Sequence, residues 1–125
     1  MTDILFKEEC YKIIGLCIEV WKNLGYGFSE VVYKDAMELE FILHGIPYHR
    51  EHELFVLYKS VKLKHKFRSD FTVYDKIIIE VKAHEVPAFS ENFEQTLNYL
   101  RATDFRLGLI VNFGKKSLEF KRIIV

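Results

Sequence analysis

The sequence predicts a mixed α/β fold, an α+β sheet with helices packed against it, in the order α-α-β-β-β-α-β-β within one domain spanning residues 1–125. Three observations predict it. Apolar residues recur at helical spacing up to Leu43; residues 48–82 switch to runs rich in valine, isoleucine, phenylalanine and tyrosine, broken by polar turns; and the remainder holds another helical segment followed by the apolar run Leu107–Phe113. A chain of 125 residues, half of them apolar and only two of them proline, closes one hydrophobic core and is too short for two ordinary domains.

From Thr2 or Asp3 as N-cap, Phe6, Cys10, Ile13, Cys17, Val20 and Leu24 alternate steps of four and three. They share one face of a first helix, which Gly25 ends. After Gly25-Tyr26-Gly27, Ser29 caps a second helix whose expected buried stripe is Val32, Ala36, Leu39 and Leu43, stopped by Gly45 and Pro47. Residues 48–57, 61–67, 68–74 and 76–82 read as a strand meander with turns at Lys59-Ser60 and Tyr74-Asp75-Lys76; the boundary between the second and third runs is soft. A third helix is expected from Glu91 to Ala102, capped by Ser90 just after Pro87. Residues 107–113 then read as a buried strand, and Gly114-Lys115-Lys116-Ser117 turns the chain into a last strand ending at Val125.

Lysine plus arginine equals aspartate plus glutamate at 18 each, so no overall positive field concentrates the chain on nucleic acid, although a neutral total can hide a local basic groove. Cys10 and Cys17 lie seven residues apart on the first helix, roughly 10 Å along its axis, which forbids a disulfide between them and leaves two buried thiols. The N-terminus lacks a signal-peptide pattern, and no apolar run reaches the roughly 18 residues of a membrane span. The expectation is a cytoplasmic protein with no membrane partner.

Within Lys76-Ile77-Ile78-Ile79-Glu80-Val81-Lys82 an apolar strand ends in two opposite charges. Side chains alternate along a strand, so Glu80 and Lys82 project from one face while Ile79 and Val81 fill the other. Opposite charges there are costly unless paired, hydrated or bound to metal. One strand earlier lies Asp70, and the hairpin at Tyr74-Asp75-Lys76 lets it approach Glu80 across the ladder. A hard divalent ion, Mg²⁺ or Mn²⁺, resolves the repulsion of two carboxylates.

An acid followed by Glu-x-Lys at the end of an apolar strand resembles the PD-(D/E)XK nuclease signature. Gly27-Phe28-Ser29-Glu30-Val31-Val32-Tyr33 fits G-x-x-E-x-x-Y, and Gln95-Thr96-Leu97-Asn98-Tyr99 fits the Q-x-x-x-Y motif of recombination-type exonucleases. In this order, and with the segments 98–103 and 108–114, they resemble the GxxExxY family of that superfamily over nearly the whole chain. The resemblance implies a restriction-endonuclease-like core and a nuclease acting on DNA or RNA. Asp70 and Glu80 would be metal ligands, with the Val81 carbonyl as a third, and Lys82 the catalytic lysine. It further implies Glu30 as an additional acid and Gln95 as a catalytic-site residue, with Tyr99 facing the substrate beside it; Tyr33 and Arg68 are further candidates for contacting substrate. Trp21 stands where relatives are expected to carry histidine.

Other readings of the same residues stay open. Glu80 and Lys82 alone also fit an ion pair at a sheet end, Glu30 a first-turn acid facing its helix dipole, Tyr33 and Tyr99 half-buried aromatics, and Arg68 a surface pair with a neighbouring acid. The whole chain also fits a non-catalytic module that keeps the nuclease scaffold for nucleic-acid or protein binding. A homodimer would enlarge a small binding surface, though nothing in the sequence demonstrates one. Zinc is not expected, because His49 and His52 should face opposite sides of their strand. The Gly114-Lys115-Lys116-Ser117 segment lacks the spacing and the following helix of a phosphate loop.

Overall fold

Two layers of helix enclose one five-stranded sheet. The computed structural model describes residues 4–84 and 89–125. Its elements are α1 (Lys7–Leu24), α2 (Glu30–Leu43), β1 (Tyr48–Tyr58), β2 (Val61–Val73), β3 (Ile77–Lys82), α3 (Phe89–Ala102), β4 (Leu107–Asn112) and β5 (Glu119–Ile124). This is the mixed α+β order read from the sequence. The strands lie in chain order, antiparallel except for β3 and β4, which run parallel. Parallel neighbours require a crossover, and α3 supplies it.

Alternation along the central strands builds two cores. Ile77, Ile79 and Val81 of β3 and Leu107, Leu109 and Val111 of β4 pack with α1 and α2, while Ile78 and Ile110 pack under Leu100 of α3. Gly108 lets α3 sit close, since a Cβ there would meet Thr96 Cγ2 at 2.6 Å. Cys10 and Cys17 are buried free thiols on α1, as expected. Among the described residues no helix is long and apolar enough to cross a membrane.

Several expectations are corrected. The N-cap assigned to Thr2 or Asp3 and the Pro87 boundary lie outside the described residues, whereas α1 is preceded by Phe6 in a left-handed conformation (φ 51°). Helix α3 starts at Phe89, so Ser90 falls within its first turn and does not cap it. Runs 61–67 and 68–74 form a single strand, β2. The buried stripe of α2 is Tyr33, Met37 and Phe41, while Leu39 and Leu43 are more than half exposed at 55% and 66%. The larger side chains win the interior: Tyr33 stacks on Phe113 at 4.5 Å between ring centroids, and Phe41 meets Phe71 edge to face at 5.2 Å.

The pairing of β1 with β2 keeps its register past Asp70 but omits one rung there, and shifts register only between Phe55 and Leu57. Arg50 pairs with Phe71 and His52 with Ser69, but the rung between them, Glu51 opposite Asp70, is skipped, and Glu51 has φ 52°. The left-handed residue resets the alternation, so His49 and His52, expected on opposite faces, stand 4.8 Å apart ring to ring.

Candidate active site

The β2–β3 ladder runs from Val73–Ile77 through Thr72–Ile78 to Phe71–Ile79 and stops. Asp70 fills the gap where the strands part. Its Oδ2 accepts a hydrogen bond from the Val81 backbone N–H at 2.7 Å, and its Oδ1 accepts one from Lys34 Nζ at 3.1 Å. Lys34 also donates to Glu51 Oε1 at 3.2 Å. The Lys34 side chain reaches this point from α2 and is only 10% exposed. Burial works against its charge, but Asp70 and then Glu51 outweigh burial and raise the ammonium above the usual lysine range.

Glu80 is buried on the α3 side of the sheet, and its Oε1 has no hydrogen-bond partner among the described residues. Its carboxyl lies within hydrogen-bonding reach of Asp70. Burial first, then the charge and hydrogen bond of Asp70, push the Glu80 carboxyl up to about 9, against the opposing pull of Lys82 and Lys34. Lys82, half-buried at the end of β3, has no ion-pair partner within 4.0 Å among the described residues. From the other layer Gln95 Nε2 donates to Tyr99 Oη at 2.6 Å, and Tyr99 stacks on Phe67 at 3.8 Å. Burial, then the charge of Glu80, push the Tyr99 phenol upward.

Two carboxyls, the Lys82 ammonium and a phenol therefore gather where β2 and β3 diverge. The family model of the PD-(D/E)XK nuclease superfamily matches residues 7–123. The chain belongs to that superfamily. No curated protein and no solved structure matches it. A groove of about 540 Å³ between α1 and α2, lined by Tyr11, Glu19, Glu40 and His44 among others, shares no residue with this cluster.

The fold brings together Asp70, Glu80, Lys82, Gln95 and Tyr99, and it leaves three of the sequence candidates elsewhere. Among the described residues no group of three or more His, Cys, Asp or Glu side chains is arranged to hold a metal, so Glu30 does not join the two acids. Its carboxylate lies 4.0 Å from His84 Nε2. The reason is helical phase and rise: Lys34, one turn further along α2, is the residue that reaches Asp70. Tyr33 is fully buried, accepts from the Phe28 N–H at 3.3 Å and donates to the Gly25 carbonyl at 2.6 Å. It closes the α1–α2 loop and is not available to substrate. Arg68 is exposed and lies 3.6 Å from Glu53, the surface pairing that was its alternative.

Sequence reasoning missed Lys34, Glu51 and Asn112. The Asn112 side chain is buried at the end of β4 and accepts from the His84 and Gly114 N–H groups at 3.1 and 2.9 Å while donating to the His84 carbonyl at 3.2 Å. It fixes the segment leaving Lys82. Gly114 belongs to the same arrangement, since any Cβ there would overlap the Ala83–His84 backbone. A polar residue closing an apolar strand, followed two positions later by glycine, was the available signal.

The donor set fits a hard divalent cation. Mg²⁺ is held by one or two carboxylates with water completing its shell. Asp70 and Glu80 are such a pair, and Glu80 Oε1, unpartnered among the described residues, is a buried oxygen that a cation would satisfy.

Proposed function

We propose that the chain is a metal-dependent phosphodiesterase that hydrolyses DNA or RNA. The observation that carries this reading is the facing pair of Asp70 and Glu80, with one Glu80 oxygen buried and unpartnered among the described residues. In it Asp70 and Glu80 hold Mg²⁺ or Mn²⁺, assisted by the Val81 carbonyl. Once bound, the metal supplies Lewis-acid polarisation of a phosphoryl oxygen and an acidified water. Lys82 stabilises the negative charge that grows on the phosphoryl group during attack. Gln95 orients the Tyr99 hydroxyl, and the two line the substrate side of the site from α3. Lys34 holds the Asp70 carboxylate in place.

Purified protein is expected to cleave at least one of single-stranded, duplex or branched substrates in Mg²⁺ or Mn²⁺, with Lys82→Ala and Asp70→Asn at background. Activity unaffected by both substitutions would refute the assignment. A second reading is favoured by the protonated state of Glu80 and the separation of Glu30 from the acids: a non-catalytic member that keeps the scaffold for binding. Heat stability discriminates the two, because an ion that binds the folded chain raises Tm and one that does not leaves it unchanged.

A further inference from the structure

Between Glu53 and Asp70 the chain carries no acid but five cationic residues, Lys59, Lys62, Lys64, Lys66 and Arg68, although its total charge is zero. This segment is the outer part of the β1–β2 hairpin. Strand β3 pairs with β2 only from Phe71 to Val73, so the ribbon continues past the rest of the sheet, and every residue from Val61 to Lys66 is exposed. A two-residue turn at Lys59-Ser60, both left-handed with φ 50° and 65°, closes it tightly.

Side-chain direction sets part of this charge on one face. Lys62 and Lys66 both lie over the Phe55 ring, at 4.9 and 5.4 Å, while Phe67 turns the other way onto Tyr99. Alternation sets Arg68 on the same face as Lys66, while Lys64 falls in the irregular stretch between the Phe55–Lys66 and Leu57–Lys62 rungs. Asp70, two residues past Arg68, lies where that alternation is reset, at the skipped rung opposite Glu51. The strand that carries Lys62, Lys64, Lys66 and Arg68 continues directly into Asp70. Lys66 and Arg68 are partly neutralised by Glu53, at 3.4 and 3.6 Å, whereas Lys59, Lys62 and Lys64 have no ion pair within 4.0 Å among the described residues.

We infer that this hairpin is a nucleic-acid-binding arm that lies along duplex DNA and delivers the phosphodiester backbone to Asp70 and Glu80. The partner's chemistry rests on the proposed phosphodiesterase activity; the arm's own evidence is its charge and direction. A two-stranded ribbon fits the major groove of B-form DNA, about 12 Å wide, and its lysines neutralise phosphates. Self-association through the arm is opposed by like charge. An anionic lipid surface would match the lysines together with the exposed Leu57, Tyr58, Val61 and Leu63, but it would give no reason for the cations to lie on the strand that carries Asp70.

The test is binding in chelator, where no cleavage interferes, using a fluorescent DNA duplex, the same sequence single-stranded, and phosphatidylserine vesicles. The wild-type chain is compared with Lys59→Gln/Lys62→Gln/Lys64→Gln, with the matching triple arginine variant, and with Lys12→Gln/Lys22→Gln/Lys116→Gln as a charge-matched control. Three lost phosphate contacts should make the slope of log K against log salt shallower by about 2.7 and weaken duplex binding at least about tenfold at 0.1 M salt. The arginine variant and the control should bind like wild type, with Tm unchanged in all. An unchanged slope in the glutamine variant, no duplex binding at low salt, or tighter binding to single strands or vesicles than to duplex would overturn the inference. Arm-dependent binding without metal-dependent cleavage would leave the arm standing and remove the catalytic reading; cleavage indifferent to the arm would do the reverse.

Discussion

Replacing Glu80 by glutamine should make the protein more stable at neutral pH, by an amount that grows as pH rises. In the unfolded chain the carboxyl ionises near its ordinary value of 4.5; in the folded chain burial and Asp70 hold its proton up to about 9. Below 4.5 both forms are protonated and the residue contributes no pH dependence. Between the two values the folded state binds the extra proton, so stability falls by up to about 1.4 kcal/mol for each unit of rising pH. At pH 7 the accumulated loss is on the order of 3 kcal/mol, and above pH 9 it is constant. Glutamine has the shape of the protonated acid, can donate to Asp70 and never ionises. Guanidinium unfolding of both proteins at pH 5, 6, 7 and 8 in chelator should therefore give similar stabilities at the acid end and diverge steadily towards pH 8. Parallel pH profiles, or a variant less stable than wild type at pH 8, would refute the buried, proton-sharing environment assigned to this side chain.

Lys34→Met should cost about 2–4 kcal/mol, because it leaves the Asp70 carboxylate without its buried cation, and a double-mutant cycle with Asp70→Asn measured by denaturation should show that most of the loss is shared. Tyr33→Phe should lower stability by about 1–3 kcal/mol through the lost loop hydrogen bonds while leaving KM for any cleaved substrate unchanged, which calorimetry and kinetics together would check. Gly114→Ala should destabilise by about 1–3 kcal/mol, read as a lower Tm, because the Ala83–His84 backbone occupies the space of the added methyl.

The order of elements was legible because each segment's period is unambiguous: α1 repeats its apolar residues at steps of three and four, and β3 is a short apolar run bounded by a turn and two charges. The acids were legible for the same reason, since Glu80 interrupts a strand that is otherwise apolar. The phase of α2 was harder to read. Its sequence offers apolar residues on most sides, and only the space under the helix selects Tyr33, Met37 and Phe41 over Leu39 and Leu43. The reset at Glu51 left no mark either, because a glutamate with φ 52° is held there by tertiary contacts and carries no glycine or asparagine signal. Lys34 was invisible for a related reason: a lysine on a helix is ordinarily solvated, and what buries this one is a partner 36 residues away.

Asp70 occupies the position that a neighbouring strand's carbonyl would take for the Val81 amide. It is thus a rung as well as a reagent, and alanine at this position would strand an interior amide as it deletes the acid. Loss of turnover in such a variant would mix damaged architecture with missing chemistry, whereas asparagine keeps an oxygen for that amide and removes only the charge. The wedge that opens the strands and the group that would grip a cation are one side chain, so alanine scanning will overstate its chemical share unless the isosteric amide is scored beside it.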